Sequence, residues 1–81
     1  MRVSIRLHGT LRKFLPSGTR DNLTTVELSD GASVADAIAR LGIPAAHAKM
    51  FVSGNEHLEA TTVLHDGQEV NVFPPLAGGI D

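Results

Sequence analysis

Cysteine, tryptophan and tyrosine are all absent from this chain, and each absence closes off a chemistry. Without cysteine there is no disulfide framework, no thiolate metal site and no thiol nucleophile. The fold must then hold by packing alone. With only Phe14, Phe51 and Phe73 as aromatics, a stacking platform for bases is missing. The Lys and Arg residues are scattered (Arg2, Arg6, Arg12, Lys13, Arg20, Arg40, Lys49) and the formal net charge is −2, so there is no basic footprint for nucleic acid. No apolar run approaches the ~20 residues of a membrane span. The chain opens Met-Arg-Val-Ser-Ile-Arg, a strand pattern rather than a signal peptide. A soluble, cytoplasmic protein is expected, with neither nucleic acid nor membrane among its partners.

What is present describes one small domain. Eighty-one residues suit a single unit, since domains usually need about 100 residues each. A chain of this size buries little more than about 60% of its unfolded surface. That leaves scant room for a deep catalytic cleft, so a binding or carrier role is expected ahead of catalysis. Hydrophobic content of 42% beside 20% charged residues is a globular composition.

Val3, Ile5 and Leu7 alternate with Ser4, Arg6 and His8, the period of a half-buried strand. Residues 9–22 read mostly as connection around the turn Pro16-Ser17-Gly18, pinned to the core by Leu11, Phe14 and Leu15. A second strand is expected over Thr24–Leu28, with Val26 and Leu28 inward. Ser33 is a good helix N-cap, and Asp36 three positions on completes a weaker form of the capping box. Val34, Ile38 and Leu41 then form one apolar stripe. Gly42 suits the left-handed residue after a helix and Pro44 forbids continuation, so the spacing predicts a helix over 33–41. Residues 45–49 add one helical turn, Met50-Phe51-Val52 a short buried strand, and 56–62 a small edge strand. Asp66-Gly67 turns the chain into a last strand, Glu69–Phe73, with Val70 and Val72 inward. Pro74-Pro75 ends it, because proline cannot donate to a ladder.

The order is strand, strand, helix, strand, short strand, strand. A crossover helix lets the second strand and the next one run parallel, and one helix covers only one face of a sheet. The fold class is α+β: a mixed sheet with one main helix packed on one face. The domain occupies residues 1–75, and residues 76–81 form a C-terminal tail expected to be flexible.

That tail is the most specific part of the chain. The stretch from Leu64 through Asp66-Gly67, the last strand and Pro74-Pro75-Leu76-Ala77-Gly78-Gly79 closely resembles the end of the MoaD/ThiS family of ubiquitin-like sulfur carriers. Gly9-Thr10-Leu11-Arg12 and Ser33-Val34-Ala35-Asp36 look like the same family, so the resemblance covers the whole chain. Gln68 stands where the family usually has an acidic residue, a change that leaves the turn intact. The resemblance implies the β-grasp (ubiquitin-like) fold and a protein that is not itself an enzyme. It implies that a ubiquitin-activating-like enzyme uses ATP to adenylate a terminal glycine, here Gly79. Sulfur delivered to that acyl-adenylate gives a thiocarboxylate, which feeds a sulfur-accepting synthase of molybdopterin, thiamine or another metabolite. The carrier itself binds no cofactor.

The residues fit that role physically. Two prolines hold the chain extended, and 74–79 reaches about 20 Å at ~3.3 Å per residue. Gly78 and Gly79 lack the Cβ that would obstruct a narrow channel. Ile80 and Asp81 depart from the family pattern, because they place an unreactive amide where the reactive carboxylate belongs. Either a peptidase removes them, as the zinc-dependent JAMM-type enzymes do for some carriers of this family, or the carrier function is lost. Phe73, with Val70 and Val72 inward, lies on the opposite face, and with Leu76 it offers an apolar anchor beside the tail.

Other patterns carry less. His8, His47, His57 and His65 show no ligand spacing and are expected as surface or edge residues, with no metal. Ser53, His57 and Asp66 are common residues rather than a triad. Two further readings stay open: a ubiquitin-like modifier joined to lysines, and a β-grasp interaction module whose tail is vestigial.

Overall fold

The computed structural model describes residues 1–75. The expected tail, residues 76–81, lies outside the described residues. Five strands and one α-helix follow in order: β1 (Arg2–Leu7), β2 (Leu23–Glu27), α1 (Val34–Arg40), β3 (Met50–Ser53), β4 (Glu56–Leu58) and β5 (Glu69–Phe73). Two 3-10 segments, Gly9–Phe14 and Ala45–His47, fill the connections. β2 begins and ends one residue earlier than its alternation suggested. Leu28 therefore follows the strand, yet its N–H still donates to the Met1 carbonyl at 2.8 Å and its side chain packs on the core.

The strands form one sheet in the order β2-β1-β5-β3-β4. β1 pairs antiparallel with β2 and parallel with β5. β3 pairs antiparallel with both β5 and β4. β2 and β3 thus run in the same direction, as the helical crossover between them implied, but two strands stand between them. The first and last strands of the chain occupy the middle of the sheet, where both edges are hydrogen-bonded. Their inward residues are the best buried: Val3, Leu7, Val70 and Val72 have no exposed surface and Ile5 only 1%.

α1 lies over that face. Ser33 caps it, its hydroxyl accepting from the Asp36 N–H while the Asp36 carboxylate accepts from the Ser33 N–H, so both halves of the capping box are present. Val34 and Ile38 reach the core as expected. Leu41 forms the C-cap and is only half-buried. Fully buried Ala37 completes the stripe, small enough to let the helix approach the sheet closely. At the C-terminus Gly42 takes φ +79, its N–H donating to Ala39 and that of Ile43 to Ile38. This is the paired bonding of a Schellman end. Leu11 closes the core beside the sheet, with Phe14 and Leu15 packed against it.

Candidate functional site

The alternation that buries Val70 and Val72 turns Phe73 to the other face of the sheet, at the point where the chain leaves it. Both flanks hold this end firmly. The His8 N–H donates to the Val72 carbonyl at 3.1 Å, and the Lys49 N–H to the Phe73 carbonyl at 2.9 Å. Pro74 follows and donates nothing, so the ladder stops here.

Phe73 is half-buried rather than free, because the His8 ring stacks on it with centroids 4.3 Å apart and planes 7° from parallel. His8 Nε2 also lies 2.9 Å from Asn71 Oδ1, which holds the imidazole over the ring. Met50 faces Phe73 across the β3–β5 pair and is 40% exposed. Gly9 comes next after His8, with φ +59. A Cβ built there would meet Pro74 Cγ at 3.0 Å and Cδ at 3.4 Å. Gly9 is thus needed twice, for its left-handed backbone and for the close seat it gives the proline.

These residues enclose a mostly apolar groove of about 370 Å³ lined by His8, Gly9, Lys49, Met50 and Phe73-Pro74-Pro75. Two larger depressions, about 670 and 470 Å³, lie elsewhere and have mixed linings, the first with Glu27, Asp30, Asp36 and Arg40, the second with Arg2, Glu27 and Asp66. Of these three, the apolar groove is the one lined by Pro74 and Pro75.

Of the residues expected to act, Phe73, Pro74 and Pro75 form the root of the tail. Leu76, Ala77, Gly78, Gly79, Ile80 and Asp81 lie outside the described residues. The alternation did not single out His8, Gly9, Lys49 or Asn71, which complete the root. His8 shares the outward face of β1 with Ser4 and Arg6, and only the parallel pairing with β5 brings it over Phe73. Ser53 serves the sheet: its hydroxyl donates to the Glu69 carbonyl and accepts from Gln68 Nε2. Asp66 accepts from the Arg2 N–H. Neither is spent on His57. Gln68 keeps the turn before β5, its Oε1 accepting from the His65 N–H at 2.9 Å.

A five-stranded mixed sheet folded around one helix, with the central last strand running out into a proline-led end, defines a ubiquitin-like protein of the β-grasp class. More narrowly, residues 1–78 match the model of the family described as Mut7-C ubiquitin, and the chain belongs to that family. Solved structures share the fold. SAMP1 from Haloferax volcanii is 21% identical, with 98% of this chain and 100% of that one covered, at a TM-score of 0.70. A second structure, of H. volcanii small archaeal modifier protein 1, is 20% identical over 93% and 98% of the two chains, at 0.69. A Pyrococcus furiosus protein assigned as molybdopterin converting factor, subunit 1, is 19% identical over 93% and 98%, at 0.67. No curated protein matches the chain. At these identities the likeness is one of fold, and the MoaD/ThiS resemblance stands as a shared ubiquitin-like architecture. No helix among the described residues is long and apolar enough to cross a membrane.

Proposed function

We propose that this chain is a sulfur carrier rather than an enzyme, a protein co-substrate whose working end is Gly79. The observation that carries the reading is the root of the tail. A central strand gripped on both flanks delivers Pro74-Pro75, and the sequence beyond them runs to Gly78-Gly79. A folded body whose sequence ends in prolines and a glycine pair suits an activating enzyme that must draw a carboxylate into a narrow site.

Hydrolysis of the Gly79–Ile80 bond by a JAMM-type peptidase gives Gly79 a free carboxylate and releases Ile80-Asp81. The activating enzyme joins that carboxylate to the α-phosphate of ATP, with pyrophosphate leaving. A sulfur nucleophile at the sulfide level then displaces AMP, and the thiocarboxylate passes to a synthase in the cytoplasm. ATP belongs to the partner, and the carrier binds no cofactor of its own. The likeness to small archaeal modifier protein 1 favours a second reading, a modifier whose Gly79 acyl group is joined to lysines. A β-grasp module with a vestigial tail is the third.

The test is ATP–pyrophosphate exchange and intact mass on two chains, one ending at Asp81 and one at Gly79. With the activating enzyme, ATP and a sulfide donor, the shorter chain should be adenylated and then gain the mass difference of one oxygen exchanged for sulfur, while the longer one stays inert. Equal activation of both would remove the blocking role of Ile80-Asp81. Lysine adducts in cells without any thiocarboxylate would select the modifier reading.

A further inference from the structure

Asp-Gly is a step at which a backbone readily rearranges. The glycine nitrogen, unshielded by a Cβ, can attack the aspartate side-chain carboxyl one residue back and close a five-membered ring. This chain has two such steps, Asp30-Gly31 and Asp66-Gly67, and no Asn-Gly. Both sit in the same kind of turn. The Ala32 N–H donates to the Ser29 carbonyl at 3.1 Å and the Gln68 N–H to the His65 carbonyl at 3.1 Å. Gly31, at φ +87, and Gly67, at φ +83, take the third place of their turns. The sequence therefore ranks the two steps equally, but their surroundings do not. At Asp66 both reacting groups are engaged: Oδ1 accepts from the Arg2 N–H at 2.7 Å, and the Gly67 N–H donates to the Arg2 carbonyl at 2.7 Å. At Asp30 the side chain is 99% exposed, and its ion-pair partner, the Met1 amine, stands 3.8 Å away. The Gly31 N–H donates to no group among the described residues.

We propose that Asp30-Gly31 is a site of covalent self-modification, at which the turn between β2 and α1 rearranges to isoaspartate and becomes the substrate of a carboxyl-methylating repair enzyme. The Gly31 nitrogen attacks Asp30 Cγ, an N–C bond forms, and the Gly31 proton leaves with the carboxyl OH as water. Water then adds to the resulting succinimide. Opening at the Asp30 α-carbonyl leaves the chain running through Cγ, one methylene longer, with a free α-carboxylate; opening at Cγ restores aspartate. The sum is an isomerisation, with one water lost and one regained. Ring closure needs the glycine nitrogen to swing toward the carboxyl, so the turn must open locally. At Asp30 that opening breaks the bond from Ala32 to Ser29. At Asp66 it must break both bonds to Arg2 as well, which raises the barrier. The product disturbs its neighbours, because the Ala32 carbonyl accepts the Leu64 N–H at 2.8 Å and Ala32 leads directly into the Ser33 cap. Repair passes a methyl group from S-adenosylmethionine to the free α-carboxylate, with S-adenosylhomocysteine leaving. The succinimide re-forms from that ester as methanol departs. Exposure of Asp30 keeps the carboxylate within an enzyme's reach. The inference goes beyond the carrier reading, since it needs neither Gly79 nor a sulfur donor.

The test ages the full chain for several weeks in warm, neutral ¹⁸O-water and then digests it with trypsin in ordinary water. Cleavage after Arg20, Arg40 and Lys49 puts Asp30 in peptide 21–40 and Asp66 in peptide 50–81. Each passage through the succinimide adds one heavy oxygen whichever way the ring opens, and fragment ions assign the label to Asp30 or Asp66. Asp30 should take up label at least about tenfold faster than Asp66, with isoaspartate accumulating in peptide 21–40. A protein isoaspartate carboxyl methyltransferase given tritiated S-adenosylmethionine should methylate the aged chain at that peptide and leave the fresh chain unmarked. In denaturing guanidinium the two aspartates should label at similar rates, because the difference belongs to the fold. Asp30→Glu keeps the charge but requires a six-membered ring, and it should remove both label and methyl acceptance from peptide 21–40. Amide shifts on ageing should centre on Ala32, Ser33 and Leu64. Equal labelling of Asp30 and Asp66 in the folded chain, no label at Asp30, or methyl acceptance that survives Asp30→Glu would each overturn the proposal. Label at Asp30 without methyl acceptance would overturn it too. None of these measurements reads activation at Gly79, so failure of the carrier role leaves the outcome readable.

Discussion

Gly9 and Gly54 make a matched pair for weighing a single contact. Both have left-handed backbones, at φ +59 and +62, so alanine at either should cost about 1–2 kcal/mol through the backbone alone. Only at Gly9 does the new Cβ meet a neighbour, Pro74, while at Gly54 nothing lies within 4 Å. Chemical denaturation of Gly9→Ala and Gly54→Ala should therefore show the larger loss at Gly9. NMR shifts at Phe73 and Pro74 should move only in that variant. Gly79→Ala in the chain ending at residue 79 should slow adenylation by at least about tenfold, a barrier increase of ~1.4 kcal/mol. Its melting temperature should not change, because the described core ends at Val72. A thermal melt beside the exchange assay separates the two effects.

At the scale of elements, local chemistry spoke clearly and pairing did not. The capping box of α1 was legible because Ser33 and Asp36 interact across three residues. Ser33→Ala should cost about 1 kcal/mol, read as a fall of about 4–8 °C in melting temperature. The faces of β1 and β5 were equally legible, since alternation states which side is buried. Which strands lie side by side is not a local property, and nothing in Val3–Leu7 announces Glu69–Phe73 as its neighbour. That gap hid the site's lining. Phe73, Pro74 and Pro75 could be picked out from the end of the last strand. His8 needed the β1–β5 register and Lys49 the β3–β5 one. Gly9, legible only as part of a resemblance, acquires its reason from a proline far along the chain.

For the molecule as a whole, every residue of the described core falls between Val3 and Val72. A chain ended after Pro75 should accordingly melt within about 2 °C of the full one, under ~0.5 kcal/mol, by circular dichroism. The arrangement at the centre of the sheet has a mechanical consequence as well. β1 and β5 run parallel in the register Ser4 with Glu69 to Leu7 with Val72, so the start of the chain and its exit lie at opposite ends of that pair. Tension between them slides one strand along the other and loads the ladder's hydrogen bonds together. A handle at Lys49, beside the exit, would instead peel β5 from β3 one bond at a time, beginning with the bond from the Lys49 N–H to the Phe73 carbonyl. Pulled by the tail against its own first strand the protein should resist like a lap joint; pulled against Lys49 it should open like a zip.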